Sequence, residues 1–465
     1  MPNVASAGAA QGRPMSQSEI EQRTLRKVSW RVLPLVLAAY FLANLDRSNI
    51  SYAALQMNHD LHLTAEEFGL AAGLFSLTYL LLEIPSNLAL ERFGARLWIA
   101  RIMISWGILS AATAFVVGPN SFVVLRLLLG TAEAGLVPGV LLYITYWFPD
   151  VLRGRAVAIF LVAAPVSNIV SALLSVPLLG MNGFLSLGGW QWLLIIEALP
   201  AVILGVITAL VMTNKPSDAK WLSEDEKSWL QRRLDSEKVA PTALKPSLWQ
   251  TIRKPRVMAL ATIYALRNVG AFGITFFLPQ IVRDLGLNTT EIGGINSVSY
   301  LVAVVGMVLW ARSSDRTGER RWHLTASMLV AAAGLAYAAW LGSSQWSLVA
   351  LAIAAIGYYA CPPCIFAISP SVLAPVEAAA GIAFINCFAQ IGSIVGPYGA
   401  GWIRSETGSF QGAMYFMAAC SVLAAVIAAL IKVPNIKPAG RADVPRDPQI
   451  PVEQSAFVGR RRAAQ

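Results

Sequence analysis

Apolar residues fill twelve long stretches of this chain, and short polar segments separate them. The stretches run over roughly 31–55, 65–89, 97–117, 121–147, 155–180, 190–212, 256–283, 291–311, 322–342, 346–373, 378–402 and 410–432. Each is near or above the ~20 residues that an α-helix needs to cross bilayer hydrocarbon. One longer polar segment, 213–255, divides them six and six. Within it, Ser223-Glu224-Asp225-Glu226 has the spacing of a capping box and predicts a short helix ending near Arg233. The pattern predicts an all-α, multi-pass integral membrane protein. Its parts are a tail over 1–30, six helices over 31–212, a linker over 213–255, six helices over 256–432 and a tail over 433–465.

Composition agrees. Only 13% of the 465 residues are charged, about half the ~25% of a soluble domain, and the mean hydropathy is +0.58. The net charge of +10 does not point to nucleic acid, because its Lys and Arg gather in alternate loops. Arg23, Arg26 and Lys27 precede the first span, Arg92 and Arg96 follow the second, and Arg153 and Arg155 follow the fourth. Arg232, Arg233, Lys245 and Lys254 lie in the linker, Arg316, Arg320 and Arg321 follow the eighth span, and Arg460–Arg462 stand near the end. The opposite loops hold few, chiefly Arg283 and Arg404. By the positive-inside rule both termini are expected in the cytoplasm, with the protein in the inner (plasma) membrane. The polar first twenty residues lack the pattern of a cleavable signal peptide.

Some chemistry is unexpected on this sequence. Cys361-Pro362-Pro363-Cys364 has metal-like spacing, yet neither a His nor a second pair accompanies it, so these are read as small helix-packing residues. No Gly-rich phosphate loop ending in Lys-Ser/Thr is present, so ATP is not the expected energy source. No Ser/His/Asp set is recognisable. Neither an enzyme nor a cofactor is expected.

Four charges lie inside spans: Asp46 and Arg47 in the first, Arg126 and Glu133 in the fourth. A charge at that depth is costly and marks a partner or a polar pathway. Two cations with two carboxylates suit a device that binds an organic anion and moves protons with it. Arg126 and Glu133 are seven apart, hence on one helix face and about 10 Å apart along the axis. Either Glu133 carries a proton with Arg126 setting its affinity, or the two form a static ion pair. Asp46 and Arg47 diverge by about 100°. Arg47 is assigned to the substrate carboxylate and Asp46 to the proton. His59, His62 and His323 sit at span ends, so a histidine relay is not expected. Glu83 shares a face with Tyr79 and Asn87 and reads as structural. Arg267 lies near the middle of the seventh span. It either reads a second acidic group of the substrate or pairs with an acid of the first half.

The two halves repeat a signature. Glu91-Arg92-Phe93-Gly94 with Arg96 follows the second span, and Asp315-Arg316-Thr317-Gly318 with Arg320 follows the eighth. An acid beside a tight Gly turn can accept charge-assisted bonds from a neighbouring helix N-terminus. Such a pair of latches (Glu91, Arg92, Gly94, Arg96; Asp315, Arg316, Gly318) could hold one conformation of a rocking device. The repeat itself is the strongest sign of two related halves.

With Leu45-Asp46-Arg47-Ser48-Asn49-Ile50, Glu83-Ile84-Pro85-Ser86-Asn87, Arg126-Leu127-Leu128-Leu129-Gly130-Thr131-Ala132-Glu133, Tyr146-Trp147-Phe148-Pro149 and Ala380-Gly381-Ile382-Ala383-Phe384-Ile385-Asn386, the chain resembles the major facilitator superfamily. More narrowly it resembles the anion:cation symporter family, and bacterial transporters of tartrate, phthalate and related carboxylates within it. The resemblance covers nearly all of 25–432. It implies two six-helix bundles, a central site, alternating access and proton-coupled symport of a small organic anion. Uniport or efflux of a related solute is the rival within transport, and a transporter-like receptor the rival outside it. The resemblance also places Tyr79 at a substrate contact and supports the roles of Arg47 and Asp46. Asn168, Phe366, Ser369, Asn386 and Gln390 are the neutral candidates for the substrate. The expected partners are the anion, protons and the bilayer, with the chain acting as a monomer.

Overall fold

The computed structural model describes residues 16–237, 248–373 and 377–431. The first half contains α1 (Gln17–Asp60), α2 (Ala65–Phe93), α3 (Ala95–Ala112), α4 (Pro119–Glu133), α5 (Leu136–Thr145), α6 (Asp150–Leu179) and α7 (Gly189–Val211). The linker carries α8 (Glu224–Ser236) and the short α9 (Leu248–Ile252). The second half contains α10 (Pro255–Asp284), α11 (Thr289–Thr317), α12 (Arg321–Leu341), α13 (Trp346–Val372), α14 (Ala378–Thr407) and α15 (Gln411–Leu430). Among the described residues twelve spans are long and apolar enough to cross a membrane, α4 and α5 forming one of them between them. Leu81, Ile84, Leu88, Leu199, Leu210 and Leu309 point outward and exposed, as lipid-facing side chains do.

Local chemistry sets the helix ends. α1 begins well before the expected span because Ser16 and Glu19 form a capping box. The Glu19 N–H donates to Ser16 Oγ at 3.3 Å, and the Ser16 N–H to Glu19 Oε2 at 2.8 Å. Thr64 with Glu67, Ser223 with Glu226, and Asn288 with Glu291 start α2, α8 and α11 in the same way. The fourth span, expected as one helix, is broken directly after Glu133. Gly135 takes φ 87°, ψ 0°, which costs a glycine little. Its missing side chain also leaves room for Ser86, which a Cβ would strike.

The two halves meet at the face opposite the basic loops. Gly69 and Gly73 of α2, four residues apart, let the helix rest on the backbone of α14. A Cβ on Gly69 would run into the carbonyl oxygen of Pro397. Gly293 of α11 lies against Ala172 of α6 in the same manner. Phe68 meets Phe277 edge-on at 5.5 Å, and Phe277 meets Phe410 at 5.3 Å. Arg283 Nη1 donates to the Leu55 carbonyl at 2.6 Å, and Asn296 Nδ2 to Tyr52 Oη at 3.2 Å. Among the described residues, no hydrogen bond or salt bridge joins the halves at the basic-loop end. Among the described residues the contacts between the halves gather toward the face opposite the basic loops, and the Cys387–Glu83 contact is the one set nearest the basic loops.

Each repeated signature closes a turn within its own half. Gly94 (φ 87°) and Gly318 (φ 69°) end α2 and α11. The Arg96 N–H donates to Asn214 Oδ1 at 2.9 Å, and its Nε to the Ala209 carbonyl at 2.6 Å. Asp315 pairs with Arg320 at 2.6 Å. Among the described residues, neither signature reaches the other half in this conformation.

The linker is anchored to the first half. Glu226, fully buried, binds Lys27 Nζ at 2.8 Å and Arg23 Nε at 3.2 Å, while Trp221 stacks on Trp147 at 5.3 Å. Burial pushes the Glu226 carboxyl up. The Lys27 hydrogen bond, the Ser223 backbone and the two cations outweigh it, so the group sits below the ordinary carboxylate value. The clamp is thus complete above the unfolded carboxylate pKa and is lost as pH falls through the lower folded one. Glu226→Gln should speed amide exchange in α8 by about tenfold at neutral pH, given the partly exposed cations. Acidification should lower the protection factors of α8, corrected for the intrinsic pH dependence of exchange, in the wild type and leave those of the variant unchanged, as followed by hydrogen–deuterium exchange.

Candidate functional site

A cavity of about 200 Å³ lies between the halves. Its ionisable wall consists of three arginines, Arg47, Arg126 and Arg267, and one acid, Asp46. Tyr79, Asn168 and Gln390 also line it, as do Tyr300, Tyr358 and Tyr359, which the sequence did not single out. Phe366, Ser369 and Asn386 are not among the lining residues. Phe366 packs edge-on against Tyr264 at 5.7 Å, and Ser369 Oγ donates back to the Ile365 carbonyl at 2.9 Å. Asn168 is engaged across the halves, donating to Tyr359 Oη at 2.8 Å.

Asp46 and Arg47 diverge as their helical spacing requires. Asp46 faces α3, where Oδ2 accepts from Trp106 Nε1 at 3.1 Å and Oδ1 accepts from Ser110 Oγ. Asn49, one turn on, donates to Oδ1 at 3.3 Å. Three neutral donors thus hold this carboxyl, 3% exposed, with no salt bridge among the described residues.

Arg47 faces α4 and binds Glu133. Its Nε donates to Oε1 at 2.8 Å, and Nη2 lies 2.7 Å from the same oxygen. The guanidinium also sits 4.7 Å from the Tyr79 ring centroid and 5.4 Å from that of Phe75. Glu133 is fully buried, and its second oxygen, Oε2, has no hydrogen-bond partner among the described residues.

The partner of Glu133 is therefore Arg47, and the alternative of a static ion pair with Arg126 is not realised among the described residues. Arg126 precedes Glu133 by two turns, and helical side chains lean toward the N-terminus. The lean carries Arg126 away from Glu133 and into the cavity. There it is 4% exposed, with Nε and Nη2 buried and without a hydrogen-bond partner among the described residues. The Phe122 ring lies 5.5 Å away. Its charge acts on both Asp46 and Glu133, yet it forms a salt bridge with neither.

Arg267 enters the cavity from the second half. Nε donates to the Tyr358 carbonyl and Nη1 to Asn268 Oδ1, both at 2.9 Å. Among the described residues no acid pairs with it, so the ion pair with the first half is not realised. Glu83 faces Cys387 of α14, with Sγ 3.8 Å from Oε2. One further charge at span depth, Glu197 of α7, is 4% exposed. Its signal in the sequence is the same as that of Glu133, a carboxyl within an apolar run.

The sequence profile of the Major Facilitator Superfamily matches residues 36–381 and 262–463. An Agrobacterium vitis protein named "Putative tartrate transporter" is 46% identical over 410 residues, covering 88% of this chain and 95% of that one. A "Quinolone resistance transporter" of Acinetobacter baumannii is 35% identical, covering 86% and 92%. The fold is similar to the crystal structure of a bacterial homologue of the human lysosomal transporter Spinster, with TM-score 0.72, 19% identity and coverage of 85% of this chain and 95% of that one.

Removing one partner of a buried pair strands the other charge. Glu133→Ala should therefore cost about 3 kcal/mol and lower the thermal midpoint of the purified protein. Adding Arg47→Met should recover most of that loss, and a double-mutant cycle on unfolding midpoints measures the recovery.

Proposed function

The chain belongs to the major facilitator superfamily, and from that premise we propose that this multi-pass membrane transporter is a proton-coupled symporter of a small organic acid, a dicarboxylate of the tartrate class. The observation that carries the reading is Arg126, a buried cation whose free donors line the cavity. A cation in low dielectric demands an anion, and a carboxylate fits a guanidinium fork. Arg267 offers a second cation on the opposite wall, so a substrate with two acidic groups satisfies both. The tyrosine and amide groups between them suit the hydroxyls of a hydroxy acid. The name of the Agrobacterium vitis relative supports the same class.

Protons enter through the ion pair. While Glu133 is ionised it occupies Arg47. A proton on the unpartnered Oε2 weakens that hold and frees Arg47 for the substrate. Anion and proton thereby arrive together and the site stays near neutrality. Asp46 is the second proton carrier. The positive-inside rule supports a cytoplasmic position for the basic loops and both termini in the inner membrane, and with the halves joined mainly at the opposite face the described conformation is read as the releasing one. The signatures at Glu91–Arg96 and Asp315–Arg320 are the contacts that close this face in the opposite state. A second reading, export of an organic acid through the same cavity, draws on the relative named for quinolone resistance.

Uptake of labelled tartrate into proteoliposomes of known protein orientation tests the proposal. An inward proton gradient should drive accumulation. Arg126→Gln should lower uptake by at least about 30-fold, as loss of a buried charge contact does. Undiminished uptake by that variant, or uptake indifferent to the gradient, overturns the reading. Net movement only from the cytoplasmic face outward favours export. Arg267→Gln should weaken dicarboxylate uptake by roughly tenfold or more and monocarboxylate uptake far less. Equal losses for the two classes would remove Arg267 from substrate recognition.

A further inference from the structure

Glu197 has no part in the site described so far. It lies in α7, about 12 Å along the axis from the outer end at Gly189. It is 4% exposed, and both carboxyl oxygens are buried without a hydrogen-bond partner among the described residues. It forms no salt bridge among them. The charged group that acts on it is another carboxyl, Asp46, and Asn49 is its polar neighbour.

The surrounding elements define what this acid can do. From α1, Asp46 and Asn49 act on it, and it acts on Tyr52. Asn49 neighbours both carboxyls and donates to Asp46. The α3 side chains Trp106 and Ser110 donate to Asp46, and Arg126 of α4 acts on Asp46 from the cavity side. Across the interface, Asn296 of α11 donates to Tyr52 Oη. Among the described residues no ionisable group of α3 or α6 acts on Glu197. Two carboxyls in one apolar pocket do not both ionise readily, and the cation that serves this pocket lies on the Asp46 side. Along the axis of α1, Asp46 is about 21 Å from the outer end, so Glu197 is the outer member of the pair.

We propose that Glu197 is a third proton-carrying carboxyl of the transport cycle, seated between Asp46 and the outer gate. When the outer gate opens, Glu197 takes a proton from that side. Its O–H then yields the proton to the Asp46 carboxylate, leaving Glu197 ionised until the outer side reloads it. The pocket never holds two negative charges. The charge of this acid acts on Tyr52, which accepts from Asn296 across the interface, so the hydrogen bond at the closed gate responds to the proton store. The proposal rests on the symport reading above.

The test uses the purified full chain in lipid. Infrared spectra at neutral pH should show the carbonyl stretch of a protonated carboxyl, with one component lost in Glu197→Gln and retained, shifted, in Glu197→Asp. In proteoliposomes Glu197→Gln should lower accumulation driven by a proton gradient by at least about tenfold. Tartrate exchange without a gradient should persist, and the ratio of protons to substrate should fall. A spectrum unchanged by Glu197→Gln overturns the proposal, because the group is then ionised throughout. A lost band with unchanged ratio and accumulation also overturns it, because the group is then a fixed neutral acid. Failure of the symport reading is seen separately, as gradient-indifferent uptake by the wild type.

Discussion

Charge at the centre of a hydrocarbon slab must be balanced close by, and the first half of this protein is arranged around that constraint. Arg47 and Glu133 answer each other at 2.7 Å. Asp46 is answered by an indole, a hydroxyl and an amide. Arg126 is answered by nothing that bonds to it among the described residues. A low-dielectric interior makes that last condition expensive, so the cavity beside Arg126 is a place where an anion lowers the free energy. The break in the fourth span serves the same arrangement. It ends α4 at Glu133, so the carbonyl end of the helix adds partial negative charge where Arg47 arrives.

The second half contributes differently. It brings Arg267, tethered by a backbone carbonyl and an amide, and a wall of tyrosines. These groups orient a ligand, whereas the coupled carboxyls all lie in the first half. The division follows from the chain's asymmetry, since the repeated signatures relate the halves but the buried charges do not repeat. The cavity's cations come from both halves, whereas its one acid, Asp46, comes from the first.

Much of this was legible in the sequence. Twelve apolar runs and the capping pattern of Ser223 with Glu226 are strong periodic signals, and the helices follow them. Buried charge is equally visible, because a Glu or Arg inside an apolar run has few innocent explanations. The pairings were not legible. Helical spacing puts Arg126 and Glu133 on one face, but it does not show which way a long side chain leans or what another helix presents. Arg47 reaches Glu133 only because α1 packs beside the broken span. The break was also missed, since Gly135 among several nearby glycines looks like packing. Ser369 was named a neutral candidate in the Pro-broken tenth span, and its hydroxyl bonds its own backbone.

The closed face has one more consequence. Where Gly69 and Gly73 lie on the backbone of α14, the surfaces touch main chain to main chain. Dispersion between such surfaces fades within an ångström of separation, unlike the longer reach of paired charges. A seam held in this way has little resistance to give once it has parted slightly, and little attraction to recover from a distance. That stretch of the seam therefore holds only while the two backbones are in contact.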